Sequence, residues 1–190
     1  RSIDVLKKID FIYAEDTRNT KKLLNFFEIK KNVSSLHEHN ETQVAPKILD
    51  LLEQNNDVAI LSDAGMPAIS DPGYYLITKC IHHNQEFTVL PGPSSVVNAL
   101  VLSGMPPSSF LFLGFIPRKK EQKLQFLRNL AQEKHTIILF KTVKRLSDTI
   151  YILSKLYSSN INIAICREMT KLHEEVVRGS ANHILDLPEN

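Results

Sequence analysis

The chain has 190 residues, 43% of them apolar and 23% charged, with a formal net charge of +2. That composition supports ordinary globular packing in one large domain or two small ones, and it excludes a low-complexity or disordered chain. No run of about 18 apolar residues occurs, so no membrane-spanning helix and no membrane partner are expected, and no secretory leader is visible.

In chain order, short apolar runs alternate with helical patterns. A strand is predicted at 9–14 (IDFIYA), then helices at 18–27 and 41–54 separated by a loop at Ser34, Ser35, Leu36 and His37. A strand at 58–61 (VAIL) precedes a helix at 73–84, for which Asp71 is the expected cap and Pro72 the first helical residue. A strand at 87–90 (FTVL) leads to a helix at 94–103. Strands at 110–115, 136–140 (TIILF) and 161–166 (INIAIC) alternate with helices at 119–133 and 143–157, and Ser180 is placed to cap a last helix at 181–186. Most of these strands lack polar alternation, as expected of strands buried on both faces of a largely parallel α/β sheet. The Ser-Gly-Met-Pro-Pro-Ser-Ser turn at 103–109 marks the expected boundary between domains at 1–105 and 106–190. Arg1 opens the chain without a Met, and no element closes at 187–190, so both ends are expected to continue. Cys80 and Cys166 fit no metal or redox spacing, and buried thiols in a reducing, cytoplasmic compartment are expected.

In open α/β sheets, ligands bind beyond the carboxyl ends of strands. After the first strand stand Glu15, Asp16, Thr17, Arg18, Asn19 and Thr20, a set that suits either chemistry or plain helix capping. The second strand runs into SDAGMPAISDPG at 62–73, longer than the about 4–6 residues of an ordinary connection. Its small residues permit close approach of a ligand and its prolines hold shape, which favours a binding loop. After the third strand, Pro91-Gly92-Pro93 sets Ser94 and Ser95 at a helix start, where N–H groups suit an anion or simply accept serine caps. A G-x-G-x-x-G fingerprint, a P-loop, a zinc spacing and a nucleophile elbow are all missing. His37-Glu38-His39-Asn40 reads as a polar loop, so no metal is expected. Cations gather in two places: Arg18, Lys21, Lys22, Lys30 and Lys31, and again Arg118, Lys119, Lys120, Lys123 and Arg128. Taken singly, each cluster reads as a solvated helix face.

The ordered set AEDTR at 14–18, HEHNE at 37–41, SDAGMPAISDPG at 62–73, the Pro91–Ser94 turn, GFIPR at 114–118, REMTK at 167–171 and Arg178-Gly179 resembles the bacterial ribosomal RNA small-subunit methyltransferase I family of the tetrapyrrole methylase superfamily. The resemblance covers nearly the whole chain. It implies a two-domain tetrapyrrole-methylase-like α/β fold, with a largely parallel sheet in the N-terminal domain, a mixed sheet in the C-terminal domain and the cofactor cleft between them. It implies a homodimer that uses S-adenosyl-L-methionine to methylate a cytidine 2′-hydroxyl of 16S rRNA in the small ribosomal subunit. Carried over by residue, Asp63, Ala64, Gly65, Met66, Pro67, Ala68 and Ile69 would line one side of the cofactor, and Ser94 and Ser95 another. Phe140, Cys166 and Arg167 would close the site from the second domain. Glu15 and Asp16 are then the candidate bases, with Arg18 as an anchor for phosphate. Arg18, Lys21, Lys22, Arg118, Lys119, Lys120 and Lys123 become candidate RNA contacts. In the family, a strand and a P-x-G-N-type loop would precede Arg1 and a closing strand would follow Asn190; Lys141 stands where a glutamate is usual. The alternatives are a porphyrinoid methyltransferase of the same superfamily and a non-catalytic RNA-binding module.

Overall fold

A computed structural model describes residues 1–142, 145–157 and 161–187. The elements are α1 (Ser2–Lys8), β1 (Phe11–Ala14), α2 (Thr17–Phe26), β2 (Val33–Ser35), α3 (Glu41–Glu53), β3 (Val58–Leu61), α4 (Tyr74–His82), α5 (Ser95–Ser103), β4 (Phe110–Phe115), α6 (Lys120–Asn129), β5 (Thr136–Phe140), α7 (Leu146–Leu156), β6 (Asn162–Arg167), β7 (Glu175–Ser180) and α8 (Ala181–Leu185). They form two compact units, one from Arg1 to Ser94 and one beginning at Ser95. Among the described residues no helix is long and apolar enough to cross a membrane.

The first unit is built on a parallel sheet in the order β2-β1-β3. Successive side chains of a strand point to opposite faces, and β1 uses this to serve two cores. Ile12 packs with Leu6, Leu24 and Ile29 from the α1 and α2 side. Tyr13 packs with Leu36, Ala45, Ile48, Leu49, Leu76 and Cys80 from the α3 and α4 side. Both faces are therefore covered, as apolar parallel strands require.

Three of the expected features differ here. The stretch at Ser34 and Ser35 is a strand, because Tyr13 and Ala14 offer it a parallel partner. The apolar run 87–90 is not a strand: among the described residues it pairs with no other strand, and Phe87 and Val89 are exposed. Helix α1 carries apolar Ile3, Leu6 and Ile9 into the core but is too short to show a convincing period.

The second unit holds a parallel pair, β4 with β5, and an antiparallel pair, β6 with β7. Strand β7 was not anticipated, since EVVRGS offers only two apolar residues; its pairing comes from β6. The register of β4 against β5 shifts between Phe112 and Phe115. Helix α5 belongs to this unit, so the division falls at Ser94 and not at the Pro106-Pro107 turn. Val96 and Leu100 pack with Ile138, the Cys166 thiol donates to the Ala99 carbonyl at 3.8 Å, and Arg178 Nε donates to the Leu102 carbonyl at 3.0 Å. That last contact closes the C-terminal end of α5, where carbonyls lack helical partners. Gly179 follows because a Cβ there would lie 2.6 Å from the His183 ring. Helix α7 begins at Leu146; the first two positions of the helix expected over 143–157 lie outside the described residues. Helix α6 ends at Asn129 and tightens into a 3₁₀ turn over Leu130–Gln132.

Ser180 caps α8, its Oγ accepting from His183 N at 3.2 Å. Ala181 and Ile184 of that helix are buried against Ile150. Ser180→Ala is expected to cost about 1 kcal/mol, read as a lower urea midpoint with an unchanged slope.

Candidate active site

Two strands of the first unit end side by side, and their loops meet there. Glu15 N donates to the Leu61 carbonyl at 3.2 Å, continuing the β1–β3 ladder beyond its last pair. The Asp63 N–H then approaches Glu15 Oε2 at 3.4 Å, and Asn19 Nδ2 donates to Asp63 Oδ2 at 3.1 Å. A Cβ placed on Gly65 would lie 4.0 Å from the Pro93 carbonyl oxygen. The three bends read separately from the sequence, at 14–20, 62–73 and 91–94, thus converge at one end of the sheet.

Asp16 and Arg18 have a local role. Asp16 is the N-cap of α2, accepting from Arg18 N at 2.8 Å. Its carboxylate also takes Arg18 Nε at 3.0 Å and Nη2 at 2.6 Å. These bonds hold its carboxyl down at about 2. A carboxylate so stabilised in its ionised form is a poor proton acceptor. Asp16 is thus engaged by helix capping and by Arg18, and Glu15 is the carboxylate of that loop that faces the neighbouring bend.

The 62–73 loop is held open by a residue outside it. Asp71 does not cap α4. The N-cap is Gly73, with φ at +130°, a backbone conformation suited to glycine. The carboxylate that serves the helix start is Glu41, only 9% exposed. Its Oε1 accepts from Gly73 N and from Leu76 N, each at 3.0 Å. Glu41 is itself the first residue of α3, so one carboxylate ties two helix starts together. Ala68 and Ser70 also have positive φ, at +67° and +62°.

Relieved of capping, Asp71 lines a hollow of about 520 Å³ with Glu15, His37, Glu38, His39, Glu41, Ser70 and Pro72. Burial, then the charges of Glu15 and Asp63, push its carboxyl up to about 6. His37 Nδ1 is buried in the same wall and has no hydrogen-bond partner among the described residues. The HEHN segment, read from sequence as a polar loop, is therefore a wall of the hollow. From the residues alone Asp71 reads as a helix cap and His37 as part of a polar loop. The available signal was the recurrence of acid residues after successive strands. Among the described residues, no group of three His, Cys, Asp or Glu side chains is arranged to hold a metal ion.

In the first unit, Ala64, Gly65, Met66, Pro67 and Ala68 are surface or half-buried positions of the loop, and Ile69 is 47% exposed. In the second unit the expected residues have partners of their own. Phe140 packs its ring 4.8 Å from Phe112 and 5.2 Å from Phe115. Cys166 leans on Ala99, and burial pushes its thiol up. Arg167 pairs with Glu175 across the β6–β7 ladder. Arg18, Lys21, Lys22, Arg118, Lys119 and Lys120 are exposed. Lys123 is not: it is 5% exposed and bound to Asp148, so it does not reach a partner as the sequence led one to expect.

Known proteins resemble the chain over nearly its whole length. The profile of the tetrapyrrole (corrin/porphyrin) methylases matches residues 1–185. A ribosomal RNA small subunit methyltransferase I from Thermotoga maritima is 41% identical, with 97% of this chain and 82% of that protein aligned. The protein of that name from Halalkalibacterium halodurans is 44% identical over 95% of this chain, which spans 62% of that relative's length. The Bacillus subtilis protein is 38% identical over 97% of this chain and 63% of its own length. In fold, the methyltransferase CobJ superposes with a TM-score of 0.65 at 15% identity, over 94% of this chain and 78% of that one. The cobalt precorrin-4 methyltransferase CbiF gives 0.64 at 18% identity, over 96% and 79%.

Proposed function

The chain belongs to the tetrapyrrole methylases, and among them to the ribosomal RNA small subunit methyltransferase I family, and from that premise we propose that the protein methylates a cytidine 2′-hydroxyl of 16S rRNA with S-adenosyl-L-methionine. The observation that carries the reading is the meeting of three loops around Glu15, Asp63 and Asp71. The residues present fit such a donor. Three carboxylates suit a cationic sulfonium and ammonium, and the exposed Ile69 beside Met66 and Pro67 offers apolar surface for a flat base. Asp63, Ala64, Gly65, Met66, Pro67, Ala68, Ile69 and Ser94 would hold it from the first unit. Ser95, Phe140, Cys166 and Arg167 of the second unit join them on the family resemblance. When bound, that donor supplies an already electrophilic methyl group.

What remains for the protein is to orient a weak nucleophile and remove its proton. Fixing a near-attack geometry is worth about 7–11 kcal/mol in favourable cases. Proton removal falls to Asp71, whose raised carboxyl matches a base working near neutrality. Glu15 shares the hollow and raises the basicity of Asp71 by its charge. Exposed Arg18, Lys21 and Lys22 are placed along α2 to meet a polyanion. An unpaired or splayed cytidine is the expected target, because a ribose hydroxyl must enter a hollow of this size. A homodimer in the cytoplasm is part of the same reading.

The test is a methyl-transfer assay on the complete protein with small ribosomal subunits, and in parallel with a porphyrinoid acceptor. One ribose methyl on a cytidine, located by mass spectrometry of nuclease fragments, is expected. Transfer to the porphyrinoid alone, or no binding of S-adenosyl-L-methionine by calorimetry, would discard the reading.

A further inference from the structure

The second unit gathers cations where electrostatics disfavours them. A helix carries partial positive charge at its N-terminus, so lysine and arginine are unfavourable in the first turn. Yet α6 begins with Lys119 at its N-cap and Lys120 as its first residue, neither helix start having a side-chain cap, and α7 begins with Arg145 at its N-cap. Arg145 Nη1 reaches the Arg118 carbonyl at 3.4 Å, bringing the two helix starts together. Lys141, directly after β5, lies in the same field. Burial, Lys123 and Arg145 all act against its charge, and only Asp148 favours it. Asp148 itself feels Lys123, Lys141 and Lys120. Asp148 is hydrogen-bonded by the buried Lys123, so the more accessible cations meet a carboxylate already engaged.

Among the described residues, Lys120, Lys123 and Lys141 therefore share the field of Asp148, Arg145 acts on Lys141 and bonds the Arg118 carbonyl, and Lys119 and the exposed Glu121 stand in the same helix start as Lys120. Such an arrangement has a high self-repulsion in the free protein and is relieved by an anion. We propose that Lys141 and Arg145, with Arg118 and Lys120, form a clasp for consecutive phosphodiesters of single-stranded RNA, on a platform held by the Lys123–Asp148 pair. The platform explains why Lys123, alone among the cations of its segment, points inward: it anchors α6 to α7 and leaves the others to face outward. Arg145 supplies planar, forked donors that match a phosphate, and Lys141 supplies a point charge. The clasp deepens the RNA reading and rests on it.

The experiment uses the complete protein and a fluorescein-labelled single-stranded oligocytidylate, with anisotropy titrations from 50 to 300 mM KCl. For wild type, log Kd is expected to rise linearly with log salt. Each phosphate contact contributes about 0.7 to that slope for single strands. The double variant Lys141→Ala/Arg145→Ala is expected to bind at least about tenfold more weakly at 100 mM KCl and to lose about 1.4 from the slope. The pair Lys7→Glu/Lys8→Glu, on exposed positions of α1, is the control and changes neither. Circular dichroism confirms that each variant is folded, and the single variants Lys141→Gln and Arg145→Gln, each expected to lose about 0.7 from the slope, serve if the double variant is not. A wild-type slope retained in the folded variants overturns the clasp while leaving the RNA reading intact. No RNA binding by wild type overturns the RNA reading instead. If 10 mM inorganic phosphate titrates against Lys141 and Arg145 but the RNA slope is unaltered, the cluster takes free phosphate and the RNA clasp is wrong.

Discussion

Asp71→Asn is expected to lower methyl transfer by the complete enzyme about 10²–10⁴-fold while making the protein more stable at pH 7. The first effect follows from the loss of the proton acceptor, a barrier increase of about 2.7–5.5 kcal/mol. The second follows from linkage. The folded carboxyl sits at about 6, above its ordinary value of 3.8, so between those values the folded state holds a proton that the unfolded state has released. Stability from this group is therefore greatest at low pH, falls as pH rises from about 4 through about 6, and stays lowered beyond. The asparagine variant escapes that loss. Its melting temperature should exceed wild type at pH 7 and coincide with it near pH 3.5. Turnover equal to wild type would exclude Asp71 as the base. A companion change, Glu15→Gln, removes one of the two charges that raise Asp71, so the acid limb of its kcat/KM profile should move to lower pH.

Glu41→Ala is expected to cost about 2–4 kcal/mol of stability. The side chain is nine-tenths buried, and its carboxylate satisfies Gly73 N and Leu76 N at the start of α4. Alanine leaves both donors without that acceptor and removes a negative charge from the positive end of the helix. Urea titration followed by circular dichroism measures the loss. Glu41→Gln keeps an acceptor oxygen without its charge and should recover roughly half. Because Gly73 closes the 62–73 loop, the alanine variant should also bind S-adenosyl-L-methionine more weakly. An unfolding midpoint within error of wild type would show that the α4 start needs no such partner.

Much of the fold could be read from the residues, for identifiable reasons. Apolar runs such as VAIL and TIILF announce strands buried on both faces, and Asp16 and Ser180 cap the helices expected of them. What escaped was set by partners distant in sequence. Ser34 and Ser35 have no strand propensity of note and are a strand because β1 pairs with them. Phe87–Leu90 has the composition of a strand and finds no paired strand among the described residues. The boundary was placed at a proline pair, whereas the packing of α5 on Ile138 decided it. The site shows the same pattern. Its loops were visible as departures from ordinary turn length, but the division of labour among their acids was not. Asp71 and Asp16 are both aspartates beside expected helix starts, and the tertiary position of Glu41 frees the first while Arg18 occupies the second.

The wholly apolar composition of β3 has a consequence for substitutions along it. Among the described residues, Val58, Ala59, Ile60 and Leu61 stand at one margin of the three-stranded sheet, and none of them carries the charge that natural edge strands use against edge-to-edge pairing. The opposite flank, β2, is three residues long and carries two serines, so it is a poor template. A lysine in place of Ala59 or Leu61, which pack against the Leu6, Ile12, Leu24 and Ile29 core, is therefore expected to lower the stability of the complete protein, read as a lower urea midpoint.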